Sequence, residues 1–351
     1  MTRAIALYLP QFHPIPENDL WWGKGFTEWT NTAKARPLFR GHYQPHVPAD
    51  LGFYDLRLEE TRVQQAALAK NYGIEAFCYY HYWFAGKRLL NRPFDEVVAS
   101  GKPDFPFCLC WANSTWSGIW HGSPNKILIE QTYPGIEDHR KHFETLLPAF
   151  KDPRYLRVDG KPIFLILEAN DIPNVEATVQ LWREFAVKSG LGGLYLIGIS
   201  GAPGSDLTSL GFDAVAIYPF MTRLHTAKAG LLRRLQNKIG RMFGRPHVLD
   251  FADFMKLQMP RKILDYEAYP TVVHAWDNTP RSGSGGIAYV NSTPEKFRDM
   301  LKAAVMSVDD KPPQRRLVFL KSWNEWAEGN HLEPDLKYGH AYLRVLAEVL
   351  K

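Results

Sequence analysis

The sequence predicts an α/β protein that closes into a single (β/α)8 (TIM) barrel spanning residues 1–351. Three observations predict it. Eight short apolar runs alternate with helical patterns along the chain. Seven of those runs end in polar or aromatic residues, and in a barrel the site lies at the C-terminal strand ends. The turn after the first run, Leu9-Pro10-Gln11-Phe12-His13-Pro14, lacks the glycines of a phosphate-binding turn. An open doubly wound sheet would also alternate, but it more often carries such a turn.

The elements follow in order. Residues 5–10 form the first strand, and residues 11–51 a long loop that suits an active-site role. A helix follows over 55–72, with Leu56, Val63, Ala67 and Leu68 on its apolar stripe. The second strand is 75–80, a short helix 91–100, and the third strand 105–111. The helix at 136–150 opens with Glu137 and Asp138, which suits the positive end of its dipole. The fourth strand is 162–168, and the next helix, 174–189, closes at Gly190. Strands five to eight are 194–200, 212–219, 271–276 and 317–321. A helix at 293–308 precedes the last strand, and a final helix covers 338–350.

Composition narrows the function. The charged content of 23% and hydrophobic content of 45% fit a soluble globular protein. Aromatics reach 13% and cluster with His, Asn and Glu, as in Tyr79-Tyr80-His81-Tyr82-Trp83, which suits stacking on a polyhydroxylated ligand. Cys78, Cys108 and Cys110 all lie in apolar runs, so buried thiols in a reducing compartment are expected. The net charge of +5 is local: residues 221–249 hold seven Lys or Arg and no acid, within a basic insertion at 221–269 between strands six and seven. That is too narrow a basic face for nucleic acid. Within it, 231–245 mixes apolar and basic residues at near-helical spacing. Two readings stand there: a basic helix packed on the barrel, or peripheral contact with an anionic membrane. No leader-like segment and no apolar stretch near the ~20 residues of a membrane span is visible, so a cytoplasmic location is expected.

The candidate chemistry lies in Ser322-Trp323-Asn324-Glu325-Trp326-Ala327-Glu328-Gly329, just past the last strand. Glu325 and Glu328 are three apart and flanked by tryptophans. Paired carboxyls beside indole rings are what glycosidic chemistry uses, one as acid and one as base or nucleophile. The other reading is a solvated turn. Tyr8, His81, Trp83, Trp111, Asn113, Tyr218, His274, Trp276, Trp323 and Asn324 are the candidate substrate-contacting residues, since all sit at strand ends. Each also has a reading as core. Asp277 either orients a substrate hydroxyl or caps its own loop. His42, His46 and Glu28 form a lid or order the first loop from within. His331, Glu333 and Asp335 alternate in a way that matches no ligand signature, so no metal and no cofactor is expected.

Several linked motifs carry a resemblance over essentially the whole chain: Tyr8-Leu9-Pro10-Gln11-Phe12-His13-Pro14, Trp22-Gly23-Lys24-Gly25-Phe26-Thr27-Glu28-Trp29, Gly41-His42-Tyr43-Gln44-Pro45-His46 and Trp323-Asn324-Glu325-Trp326-Ala327-Glu328-Gly329. They resemble the WbsX family, also called glycoside hydrolase family 99-like, whose fold and glutamates are similar to those of retaining endo-α-mannosidases. The resemblance implies that Glu325 is a general base and Glu328 the general acid/base. It also implies a route in which the sugar's own 2-hydroxyl attacks the anomeric carbon, giving a 1,2-anhydro sugar. The mannosidase-type motif commonly has His where this chain has Ala327.

Three functions compete on this reading. The first is a retaining endo-type hydrolase of α-mannoside-like linkages in an oligo- or polysaccharide. The second is a glycosyltransferase of bacterial surface-polysaccharide (O-antigen or capsule) synthesis; no DxD-type nucleotide motif is visible. The third is a non-catalytic glycan-binding barrel.

Overall fold

Eight parallel strands close on themselves: β1 (Arg3–Tyr8), β2 (Ile74–Phe84), β3 (Phe107–Trp111), β4 (Lys161–Ile166), β5 (Tyr195–Ser200), β6 (Ala214–Ile217), β7 (Ala268–Val273) and β8 (Leu317–Lys321). Each pairs with its neighbours in sequence, and β8 returns to β1 in the register Ala4↔Val318 and Ile5↔Phe319. The chain is therefore a (β/α)8 barrel. This computed structural model describes residues 1–118, 123–201, 205–218, 240, 244–258 and 264–351.

The strands are continuous apolar runs because both of their faces are covered. Phe107–Trp111 and Leu317–Lys321, for example, are buried at every position. Outside them lie helices Glu59–Asn71, Arg92–Ser100, Ile136–Lys151, Val175–Lys188, Pro294–Met306 and Ala341–Val349. Their periodic apolar faces turn inward, as with Phe143, Leu146 and Phe150. Cys78, Cys108 and Cys110 are buried and unbridged.

Three features depart from the sequence expectation. β2 runs on to Phe84 and folds back on Lys87–Leu89. The two-residue turn Ala85-Gly86 has φ 44 and 89, the left-handed pair that suits a tight hairpin. The first loop contains two short helices, Pro16–Trp22 and Glu28–Lys34. Outside the barrel, His247–Asp250 pairs in parallel with Ile287–Val290. The 231–245 segment, read as a membrane contact, lies outside the described residues apart from 240, 244 and 245. Among the described residues no helix is long and apolar enough to cross a membrane.

Candidate active site

The loop after β8 is built around a small hairpin. Asn324–Glu325 pairs antiparallel with Asn330–His331, and one 3-10 turn, Trp326–Glu328, joins them. Ser322 Oγ accepts from the Glu325 N–H at 3.0 Å and donates to the Asn330 carbonyl at 2.6 Å. Gly329 closes the turn at φ 57. A Cβ there would come within 2.9 Å of Asp277 Cβ, because the Asp277 N–H reaches in to the Glu328 carbonyl at 2.6 Å. Asn324 fixes the loop from beneath: its Oδ1 accepts from the Leu9 N–H at 2.7 Å and its Nδ2 donates to the Leu9 carbonyl at 3.0 Å.

Glu325 and Glu328 are both buried. Between them sits Lys321, the last residue of β8, also buried. Its Nζ donates to Glu325 Oε1 and lies 3.3 Å from Glu328 Oε2. Arg281 donates from Nη1 to Glu328 Oε1, and its Nη2 lies 2.7 Å from Oε1 of buried Glu28. Three carboxyls thus share two cations. Burial and the neighbouring Glu328 push the Glu325 carboxyl up to about 8, with Lys321 opposing. Burial also acts to raise Glu328, but Arg281 and Lys321 outweigh it and hold that carboxyl well below the usual range. Both carboxyls meet the Lys321 ammonium, and the opposite shifts make Glu325 the more basic member of the pair.

Aromatic faces surround the ammonium. Lys321 Nζ lies 5.5 Å from the Tyr80 ring centre, 5.6 Å from Trp276 and 5.9 Å from Tyr218. Of the sequence candidates, Tyr218 and Trp276 therefore stand beside the glutamates. Lys321, Arg281, Glu28 and Tyr80 complete the cluster, and pattern reading did not single out the first, second or fourth. A lysine ending an otherwise apolar buried strand was the one local signal for them.

The other candidates lie elsewhere. His81, Trp83 and Trp111 gather around His142 of helix Ile136–Lys151. His81 Nε2 is 2.7 Å from His142 Nε2, Trp83 stacks on that ring at 4.6 Å, and Trp111 meets it edge-on at 4.7 Å. Asn113 joins the ends of β3 and β4, bonding the Glu168 N–H and carbonyl at 2.9 Å each. Tyr8, Trp323 and Asn324 are packed below the loop. The Tyr8 hydroxyl donates to Gln65 at 2.6 Å, and Trp323 packs on Phe77 at 5.2 Å. Gln65 leads to Glu333, whose carboxyl also accepts from Trp326 Nε1 at 2.6 Å and Tyr54 at 2.8 Å. Burial lifts Glu333 to about 7.

His274 donates from Nε2 to the His331 carbonyl at 2.8 Å. With Trp276 and Gly329 it lines a cavity of about 310 Å³ whose walls include neither Glu325 nor Glu328. The first loop forms another wall. His42 and Gln44 bind Asp277 Oδ2 at 2.6 and 2.8 Å, and His46 Nδ1 meets His331 Nε2 at 2.8 Å. Asp277 also takes the Thr279 hydroxyl at 2.6 Å, so its carboxylate orders loops.

The family described as glycosyltransferase WbsX matches residues 4–346. The chain belongs to the WbsX family. Uncharacterized protein WxcX of Xanthomonas campestris pv. campestris is 40% identical to this WbsX chain over 350 residues, in each of two strains. The match covers 99% of this chain and 50% of that protein, so the chain spans about half the length of those relatives. Among solved structures, the GH99 endo-α-mannosidase from Bacteroides thetaiotaomicron superposes with TM-score 0.61 at 15% identity, covering 99% of this chain and 96% of that one. A glycoside hydrolase-like protein does so with TM-score 0.59 at 17% identity, covering 100% and 94%. At these identities the likeness is one of fold, and the WbsX chain shares it from end to end.

Proposed function

We propose that this WbsX chain is a glycan-active enzyme, a retaining endo-type glycoside hydrolase acting on α-mannoside-like linkages. One observation carries the reading: buried Glu325 and Glu328 meet on the Lys321 ammonium, with Arg281 on Glu328, ringed by Tyr80, Tyr218 and Trp276. Two carboxyls gripped by one ammonium lie too close for the water that inversion places between them, which favours retention. The fold shared with the endo-α-mannosidase supports the hydrolase reading, and the family match supports a glycan-active enzyme.

In the proposed reaction Glu325 removes the proton of the sugar 2-hydroxyl, and that oxygen bonds to the anomeric carbon. The glycosidic C–O bond breaks, and the leaving oxygen takes its proton from Glu328. Water then opens the 1,2-anhydro ring at the anomeric carbon, giving its proton to Glu328, while the 2-oxygen recovers one from Glu325. The shifts favour a proton on the opposite member, Glu325. The reactive form carries a proton on Glu328 and none on Glu325. Arg281 and Lys321 keep the excess charge of the pair tolerable in either arrangement.

The family's description as a glycosyltransferase favours a second reading, in which a sugar hydroxyl replaces water. The test uses α-mannans and surface polysaccharides with the wild type, Glu325→Gln and Glu328→Gln. Oligosaccharide released by the wild type alone supports hydrolysis. Extension of an acceptor from an activated donor, with no release, supports transfer. Binding without turnover in all three proteins would sink both.

A further inference from the structure

We propose that His46 Nδ1, His331 Nε2 and Asp335 Oδ2 form a divalent transition-metal site, of the kind zinc occupies, clamping the first loop to the loop that carries Glu325 and Glu328. The sequence offered only His331, Glu333 and Asp335, whose spacing fits no metal. The fold turns the Glu333 carboxyl away to Trp326, Tyr54 and Gln65 and brings in His46 from 285 residues earlier.

All three ligand atoms lie within 4.8 Å of one another, and all three residues are buried. His331 Nδ1 is 2.9 Å from the Glu333 backbone carbonyl, an acceptor only, so Nδ1 carries the hydrogen and Nε2 a lone pair. That is how metal-binding imidazoles are oriented. In the metal-free state His46 Nδ1–H donates to that lone pair at 2.8 Å. A metal replaces the shared hydrogen, which passes through solvent to His46 Nε2.

Asp335 Oδ1 is occupied by the N–H groups of Lys337 and Tyr338, at 3.0 and 2.6 Å. Its Oδ2 lies 4.0 Å from His331 Nε2. The Tyr43 hydroxyl bonds the same carboxyl, and Lys337 Nζ sits 4.3 Å over the Tyr43 ring. Tetrahedral zinc with bonds near 2.0–2.1 Å needs its nitrogens about 3.3 Å apart, so the histidines open by roughly 0.5 Å. The backbones that carry them are already joined, Leu336 N–H to Val47 at 3.0 Å and Ala49 N–H to Pro334 at 2.9 Å. The 310 Å³ cavity, lined by all three ligands and Tyr43, has room for a water as fourth ligand. Two imidazoles and one carboxylate favour zinc over magnesium.

The site would grip the catalytic loop directly. His331 stacks on Trp326 at 3.7 Å and sits on the strand that pairs with Glu325. The proposal stands apart from the glycosidase reading, because its readout is metal binding. The test is calorimetric titration of chelator-stripped full chain with zinc sulfate and, separately, magnesium chloride, beside His46→Gln and Asp335→Asn. The wild type is expected to take up one equivalent of zinc and to ignore magnesium. At zinc 100-fold above Kd, its Tm should rise by about 4 °C. His46→Gln should weaken binding at least about 100-fold and Asp335→Asn at least about tenfold, both remaining folded by circular dichroism. A wild type that binds no zinc overturns the proposal. So do variants that bind zinc as the wild type does, since the metal would then sit elsewhere.

Discussion

Replacing Arg281 with Met tests the charge network directly. Methionine keeps much of the side-chain volume and removes the guanidinium that joins Glu28 to Glu328. Glu328 retains Lys321 at 3.3 Å, whereas Glu28 loses the cation that opposes its burial. Breaking a buried pair can cost about 3–5 kcal/mol. A proton caps that cost here. Against the ordinary carboxyl value of 4.5, taking up a proton at about pH 7 costs roughly 3 kcal/mol, at 1.36 kcal/mol per unit. At about pH 5 the same step costs less than ~1 kcal/mol. The sign follows from proton counting. In the variant the folded chain holds a proton on Glu28 that the unfolded chain releases above 4.5, so stability falls as pH rises through that window. Urea unfolding followed by tryptophan fluorescence at both pH values should therefore show a deficit of about 3 kcal/mol that shrinks below ~1 in the more acidic buffer. A deficit equal at the two pH values, or none at pH 7, refutes the reasoning.

Other outcomes follow from the same geometry. Gly329→Ala places a methyl against Asp277, so turnover on glycan should fall roughly 100-fold while the melting curve stays cooperative; unchanged turnover would count against a close-fitted loop. Asn324→Ala leaves the Leu9 backbone groups without their partners and should lower stability by about 1–3 kcal/mol in chemical denaturation. Glu333→Gln turns one acceptor of a carboxyl that serves Trp326, Tyr54 and Gln65 into a donor, and a thermal melt should show a loss of about 1–3 kcal/mol. Glycan turnover should decline above about pH 8, where Glu325 releases the proton of the pair. A rate that holds flat through pH 9 would mean the pair is not the acid/base couple.

The barrel was legible because its strands are buried on both faces, which leaves eight plain apolar runs. The eighth, 317–321, coincides with β8 to the residue. The seventh was displaced. The run read at 271–276 falls at Ala268–Val273, and Pro270 sits inside the strand opposite Ile217. The glutamates, Tyr218 and Trp276 stood out because strand ends are visible in a one-dimensional pattern. Which way a strand-end residue faces is not visible. Asn324 and Tyr8 point down because Leu9 and Gln65 receive them, and those partners are 315 and 57 residues away. Arg281 and Glu28 are 253 residues apart, and no local spacing encodes their meeting. His46 and His331 are hidden for the same reason.

The clasp between Leu9 and Asn324 has a consequence for synthesis. At about 5–20 residues per second, the ribosome makes the 315 residues between them in roughly 15–60 s. Through that interval β1 has β2 on one side and an open edge on the other, because its second neighbour, β8, comes last. The loop that carries the glutamates therefore follows the last strand to join the barrel. A circular permutant that begins at β8 would make both halves of the clasp within seconds of each other, and would shorten the exposure of that edge.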